Sequence, residues 1–143
     1  MRETILQLSA AFFGSLGFSL LFGLPRRYLI RAALGGLMSW AIYLMSMRVI
    51  ENIFLANFLA AGCSVIYAEL LARRLKCPAT LFLTPAIIPL VPGGSLYETM
   101  SYAVRRETEL AHRTGAVTLE AALAIAAGIS IVITCWSLKT KQK

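Results

Sequence analysis

Apolar residues in this chain come in runs of about twenty, parted by short clusters of charged and turn-forming residues. A bilayer core takes about 20 residues of helix to cross, and the first run, residues 5–24, meets that requirement before it stops at Pro25-Arg26-Arg27. A second run covers residues 28–47, with Arg31 near its start, where a long side chain reaches back to the headgroups. The third, residues 53–71, closes on Arg73, Arg74 and Lys76, and the last, residues 116–138, ends in a lysine-rich tail. Between them, residues 79–104 form a run that begins like a span and is interrupted. At about 1.5 Å per residue the interrupted run is long enough to cross as a helix, a break and a second helix; residues 79–91 alone would be re-entrant. The pattern predicts an all-α, polytopic integral membrane protein. It has about five transmembrane helices, the fourth broken at Pro89–Gly94, in a single transmembrane domain over residues 1–143.

The interruption reads AIIPLVPGGSLYE over residues 86–98. Proline has no amide hydrogen and clashes with the carbonyl four residues back. Pro85, Pro89 and Pro92 therefore release carbonyls around residues 81–88 from their usual partners. Gly93 and Gly94 supply backbone freedom for a turn. Ser95 with Glu98 three residues later matches the S-x-x-E capping box, so a stop, a hinge and a restart are expected in order. A restarted helix offers free amides and a partial positive end to an anion, while released carbonyls accept from an ammonium group. Substrates of several secondary transporters sit at such discontinuous helices near mid-membrane. The competing reading is a proline kink whose open groups are satisfied by a neighbouring helix, with no ligand. The pathway candidates are Thr84, Pro85, Pro89, Pro92, Gly93, Gly94, Ser95 and Tyr97. Tyr97 has the alternative of joining Tyr102 in an interfacial aromatic belt.

Composition removes most other classes. Hydrophobic residues make up 58% of the chain and Asp is absent, which leaves too little polar surface for a soluble domain of this length. The net charge of +7 does not point to nucleic acid, because Arg26-Arg27, Arg73-Arg74-Lys76 and Lys139-Lys141-Lys143 all flank apolar runs, as cationic anchors do. With five crossings these residues share one side, so the positive-inside tendency places the carboxyl terminus in the cytoplasm of the cell (plasma or inner) membrane. The loop with Arg105 and Arg106 argues partly against this direction. The first run has no strong basic lead and no A-x-A site, and reads as a permanent span. Cys63, Cys77 and Cys135 stand apart, with no pairing suited to a disulfide or zinc framework. No catalytic triad, metal-ligand cluster or phosphate-binding glycine loop is present, so neither an enzyme nor a cofactor is expected.

Coupling transport to protons needs a group that changes charge, and ionisable residues within spans are rare. Glu69 and Glu98 are the candidates. Glu69 has the alternative of an i,i+4 pair with Arg73, and Glu98 that of the capping partner. Glu120 belongs near the start of the last span. Asn52 and Asn57 suit bonds across helices, and His112 falls in a polar loop with Glu109 and Arg113. Thr80 and Thr84 either bond back to their own helix or reach a polar substrate. Small residues at four-residue spacing, Ala10 with Gly14, Ala11 with Ser15 and Ala124 with Gly128, mark close helix approach.

The string CPATLFLTPAIIPLVPGGSLYETMSYAV resembles the signature region of the threonine/serine exporter (ThrE) family, in its carboxyl-terminal half. The likeness rests on Arg73, Arg74, Lys76, Pro78, Ala79, Thr80, Phe82, the run from Ile87 to Gly93, and Tyr97. It implies a proton-coupled exporter of threonine and serine, or, as in related split systems, of small dicarboxylates such as succinate. Full-length members carry about ten spans in two halves. The resemblance therefore implies a second membrane subunit, similar to the amino-terminal half, as partner. A third reading is a non-transporting accessory subunit in which the break serves assembly alone.

Overall fold

The structure is a computed structural model that describes residues 2–141, with side chains to Leu138. The side chains of Lys139, Lys141 and Lys143, expected to anchor the last span, lie outside what is described. The elements in order are α1 (Arg2–Leu21), α2 (Arg26–Ile50), α3 (Ile53–Leu75), α4 (Thr80–Ile87), a 3-10 turn at Ile88–Leu90, α5 (Gly93–Val104) and α6 (Thr108–Lys141). The chain is a polytopic all-α membrane protein. Helices α1, α2, α3 and α6 are each long and apolar enough to cross a bilayer, and α4 with α5 passes the same test as a pair bent by 50°.

Packing decides how the bent pair runs. Ala60 and Ala61 share a core cluster with Ile125, Gly62 faces Gly128 and Val132, and the Arg73 guanidinium lies 5.0 Å over the Trp136 ring. Rising numbers on α3 meet rising numbers on α6, so the two helices are parallel. The chain must return from the end of α3 to the start of α6, and α4 with α5 makes that journey. The broken segment therefore traverses the bundle from one end to the other and does not double back.

Helix ends follow local rules. Gly23 takes φ +66°, and the Leu24 amide reaches back to the Ser19 carbonyl at 3.1 Å, closing α1 with a Schellman-type turn. Pro25 then sits as the N-cap of α2, where its missing N–H removes nothing the helix needs. Asn52 caps α3 by accepting from the Leu55 amide at 3.0 Å, and Asn57 donates to the Ile53 carbonyl of its own helix at 2.9 Å. Neither bond crosses between helices as expected. The short polar side chains sit within one turn of a helix start, and the nearest groups are local.

Small residues fill the interior. Ala32, Ala33, Ala56, Ala60, Ala61, Ala68 and Ala124 are buried, and the buried hydroxyls of Ser19 and Ser64 bond back to Ser15 and Ala60 carbonyls at 2.7 Å. Such residues let backbones approach closely in lipid. At Gly128 a Cβ would stand 2.6 Å from the Phe58 carbonyl oxygen, so the α3–α6 approach has room for hydrogen alone. The outside is apolar, with Phe13 66% and Val49 83% exposed, a surface that suits hydrocarbon and not water.

One boundary differs markedly from expectation. The last helix begins at Thr108 and not at residue 116, which shrinks the expected long loop to three residues, 105–107. Arg106 at φ +62° and the Glu107 amide bonding to Tyr102 make the turn. His112 thus lies on a helix, and Glu109 pairs with Arg113 at 3.0 Å, an i,i+4 contact that supports this polar first stretch. At about 1.5 Å per residue α6 is about 51 Å long, more than a bilayer core of about 30 Å. Its first turns project beyond the start of α3 and pack on α5, where Gly115 meets Thr99.

Candidate functional site

The break is built by three missing amides. Pro85 deprives the Leu81 carbonyl of its helical donor, Pro89 does so for Pro85, and Pro92 for Ile88. Not every carbonyl around the break stays open. The Val91 amide closes on the Ile88 carbonyl at 3.2 Å, and the Ser39 hydroxyl donates to the Ala86 carbonyl at 2.6 Å from the neighbouring helix. Part of the released backbone is thus satisfied by protein, as the kink reading required, and part borders open space.

The restart does not use the expected capping box. Helix α5 begins at Gly93 with Pro92 as its N-cap, and no side chain accepts from its first-turn amides. Ser95 lies inside the helix and donates to the Pro92 carbonyl at 3.2 Å, while Glu98 is exposed. The physical reason is position: Pro92 already fits a helix start, so the helix opens two residues before a serine cap could form. Gly93 and Gly94 have no positive φ, and the turn is made at Val91 and Pro92, with ψ +124° and +56°. What the glycines contribute is openness, since a Cβ at either would meet nothing within 4 Å.

Those uncapped amides border a cavity of about 300 Å³ lined by Pro89, Pro92, Gly93, Gly94 and Ser95 from the break. Leu90 and Val91 of the break, Trp40 and Tyr43 of α2, Ile53 and Asn57 of α3, and Val117 and Ala121 of α6 complete the wall. The volume is at the small end of the ~300–1,000 Å³ range of ligand pockets, and the mainly apolar wall with a few polar groups is typical of them. The Gly93 amide donates to the Val91 carbonyl at 2.7 Å, which leaves the amides of Gly94 and Ser95, and the partial positive charge of a helix start, at this space. Asn57 is only 4% exposed and keeps its amide donor on Ile53.

Other candidates go elsewhere. Thr84 and Pro85 line a separate cavity of about 300 Å³ with Thr80, Leu81, Phe22 and Leu24. Tyr97 stands 75% exposed on the outer side of α5, and neither it nor Glu98 lines the break cavity. Glu69 is half-buried on α3, about 18 Å along the helix from Asn57 at 1.5 Å per residue. The structure therefore brings together five of the ten named residues and leaves the two carboxylates apart from them.

Four residues that face the break were not anticipated: Gly36, Ser39, Trp40 and Tyr43. They occupy positions i, i+3, i+4 and i+7 of α2, one face of a helix. Gly36 lets α1 and α4 close in, for a Cβ there would collide with Ser15 and lie 3.3 Å from the Pro85 carbonyl oxygen. Ser39 holds Ala86, and Trp40 stacks on Tyr43 with ring centres 4.9 Å apart. The stripe G-x-x-S-W-x-x-Y was readable as a face, but nothing local said which neighbour it met.

Comparison with known proteins agrees with this architecture. No solved structure matches the chain. The family model described as Threonine/Serine exporter, ThrE, matches residues 7–135, nearly the full length and including the whole break. A match of that extent, on a membrane protein with a broken span, makes the chain a member of the threonine/serine exporter (ThrE) family.

Proposed function

We propose that the chain is a subunit of a secondary-active exporter in the cell membrane and that a small polar solute, threonine or serine first among them, binds at the α4–α5 break. The observation that carries this reading is the uncapped start of α5, with Gly93 and Gly94, at a cavity of about 300 Å³ inside a broken span. The α5 terminus suits a carboxylate, and the carbonyls of Pro89 and Leu90, residues that line the same cavity and accept no backbone amide among the described residues, suit an ammonium group. A dicarboxylate such as succinate satisfies the first requirement but not the second, which favours the amino acid.

Export against a gradient is coupled to protons in this reading. Glu98, one turn beyond Ser95 on α5, and Glu69 on α3 are the carboxylates proposed for that role. The partner is a second membrane subunit resembling the amino-terminal half of the family, and the carboxyl terminus faces the cytoplasm. Efflux of threonine and serine from loaded cells carrying both subunits tests the function. The pair Pro89→Ala with Gly93→Ala should abolish efflux at normal abundance. Unchanged efflux would favour the accessory-subunit reading, and full transport by this chain reconstituted alone would overturn the partner.

A further inference from the structure

A second cavity, of about 260 Å³, lies on the other side of the break. It is lined by Gln7, Ala10, Gly14 and Ser15 of α1 together with Ile88, and it shares Trp40 and Pro89 with the cavity already described. No other residue lines both. Trp40 and Pro89 thus form the partition between a space bordered by α1 and a space bordered by α3, α5 and α6.

That partition is chemically unusual. The Trp40 Nε1–H is buried and has no hydrogen-bond partner. Ser15, a lining residue of the α1-side cavity, is 0% exposed, and its hydroxyl is likewise without a partner. A buried donor without an acceptor is destabilising, and more so in hydrocarbon where water does not compensate. Indole N–H is a donor only, so the group that satisfies it is an acceptor. Ser39, the residue before Trp40, fixes α2 to the Ala86 carbonyl, so movement of the ring is a side-chain event beside an anchored backbone.

We infer that Trp40 is both the gate between two solute stations and a specificity residue, whose indole N–H donates to the carboxylate of the solute as it moves between the cavities. The inference rests on the export reading above and names the chemistry that reading left open. The α5 terminus receives the carboxylate in one cavity, Ser15 stands at the other, and Trp40 is the donor common to the passage. An uncharged amide at the same position is a poorer acceptor and is held less well.

Two measurements test it, both on the full chain with its partner subunit. In the first, Trp136→Phe leaves Trp40 as the only tryptophan of this chain, every tryptophan of the partner subunit is replaced by phenylalanine, and the Trp40 fluorescence in lipid nanodiscs is titrated with serine and with serinamide. A saturable change with serine, and none with serinamide, is expected. In the second, Trp40→Phe keeps the ring but removes the N–H. Efflux of serine should show a KM about fivefold to tenfold higher, the worth of one hydrogen bond, with kcat within about twofold. Trp40→Ala should instead leak solute in both directions. A silent Trp40 signal together with wild-type kinetics in Trp40→Phe, while the unaltered complex still exports serine, overturns the gate and leaves the export reading standing. A saturable Trp40 signal in a complex that exports neither serine nor threonine retains the carboxylate site and removes the export reading.

Discussion

The hydroxyl of Ser39 donates to the carbonyl oxygen of Ala86 at 2.6 Å, joining residues 47 apart in sequence in the buried interior. This bond ties α2 to the broken span at the point where the regular ladder ends. It explains how irregular backbone persists at membrane depth: one of the loosened carbonyls finds a donor on the neighbouring helix, and others border space.

Ser39→Ala should therefore leave the Ala86 carbonyl buried and unpaired. A loss of about 1–3 kcal/mol is expected for a stranded buried acceptor. Thermal unfolding in detergent, followed by scanning fluorimetry, should show a lower Tm for Ser39→Ala. An unchanged Tm would mean that the bond contributes nothing to holding the break.

Gly36→Ala adds a methyl group where Ser15 already sits, with the Pro85 carbonyl oxygen 3.3 Å away. Overpacking of this kind costs about 1–3 kcal/mol. Because the first obstacle is a side chain, Ser15→Gly should recover much of the loss in the double variant, a coupling of about 0.5–3 kcal/mol. Simple additivity of the two substitutions would contradict the contact.

Gly128→Ala and Gly14→Ala make a contrasting pair. At Gly128 the new Cβ meets backbone at 2.6 Å, the Phe58 carbonyl, and α3 must move away from α6; at Gly14 it meets nothing within 4 Å. Gly128→Ala should lower stability by more than about 1 kcal/mol. Gly14→Ala should be neutral or stabilising by up to about 1 kcal/mol, as alanine favours helix over glycine. Equal Tm values for the two variants would count against the parallel α3–α6 packing.

Glu98→Gln isolates the proposed proton-coupling role. Glu98 is exposed and forms no capping box, so the substitution should leave Tm unchanged. If Glu98 carries the coupled proton, efflux in Glu98→Gln loses its dependence on external pH. Retained pH dependence would move the role to Glu69, where Glu69→Gln is the matching measurement.

Much of the architecture was legible in the sequence because bilayer thickness fixes span length, and four of the five expected spans agree with the helices within a few residues at most ends. The break was legible because proline removes a donor wherever it stands. The capping box failed because its signal is local: S-x-x-E cannot tell whether Pro92 starts the helix first. The start of α6 was missed for a related reason. Residues 108–115 are polar and read as loop, yet Glu109 with Arg113 and packing on α5 hold them in a helix outside the apolar zone. Ser39, Trp40 and Tyr43 are ordinary residues of an apolar helix until the fold sets the break against them. Their part in the site depends on which helix faces which, and no spacing along α2 encodes that.

Direct access to the break decides the rest. With Cys63, Cys77 and Cys135 replaced by alanine, a cysteine introduced by Gly94→Cys fits without steric conflict. Its rate of reaction with a membrane-impermeant thiol reagent is then measured in the assembled exporter, with and without saturating serine or threonine. Val49→Cys on the lipid-facing surface serves as control. We expect Gly94→Cys to react, serine or threonine to slow it at least about threefold, and Val49→Cys to ignore both solutes. A Gly94→Cys thiol that stays unreactive, or reacts at one rate whatever solute is present in a complex that still exports, would place the passage elsewhere.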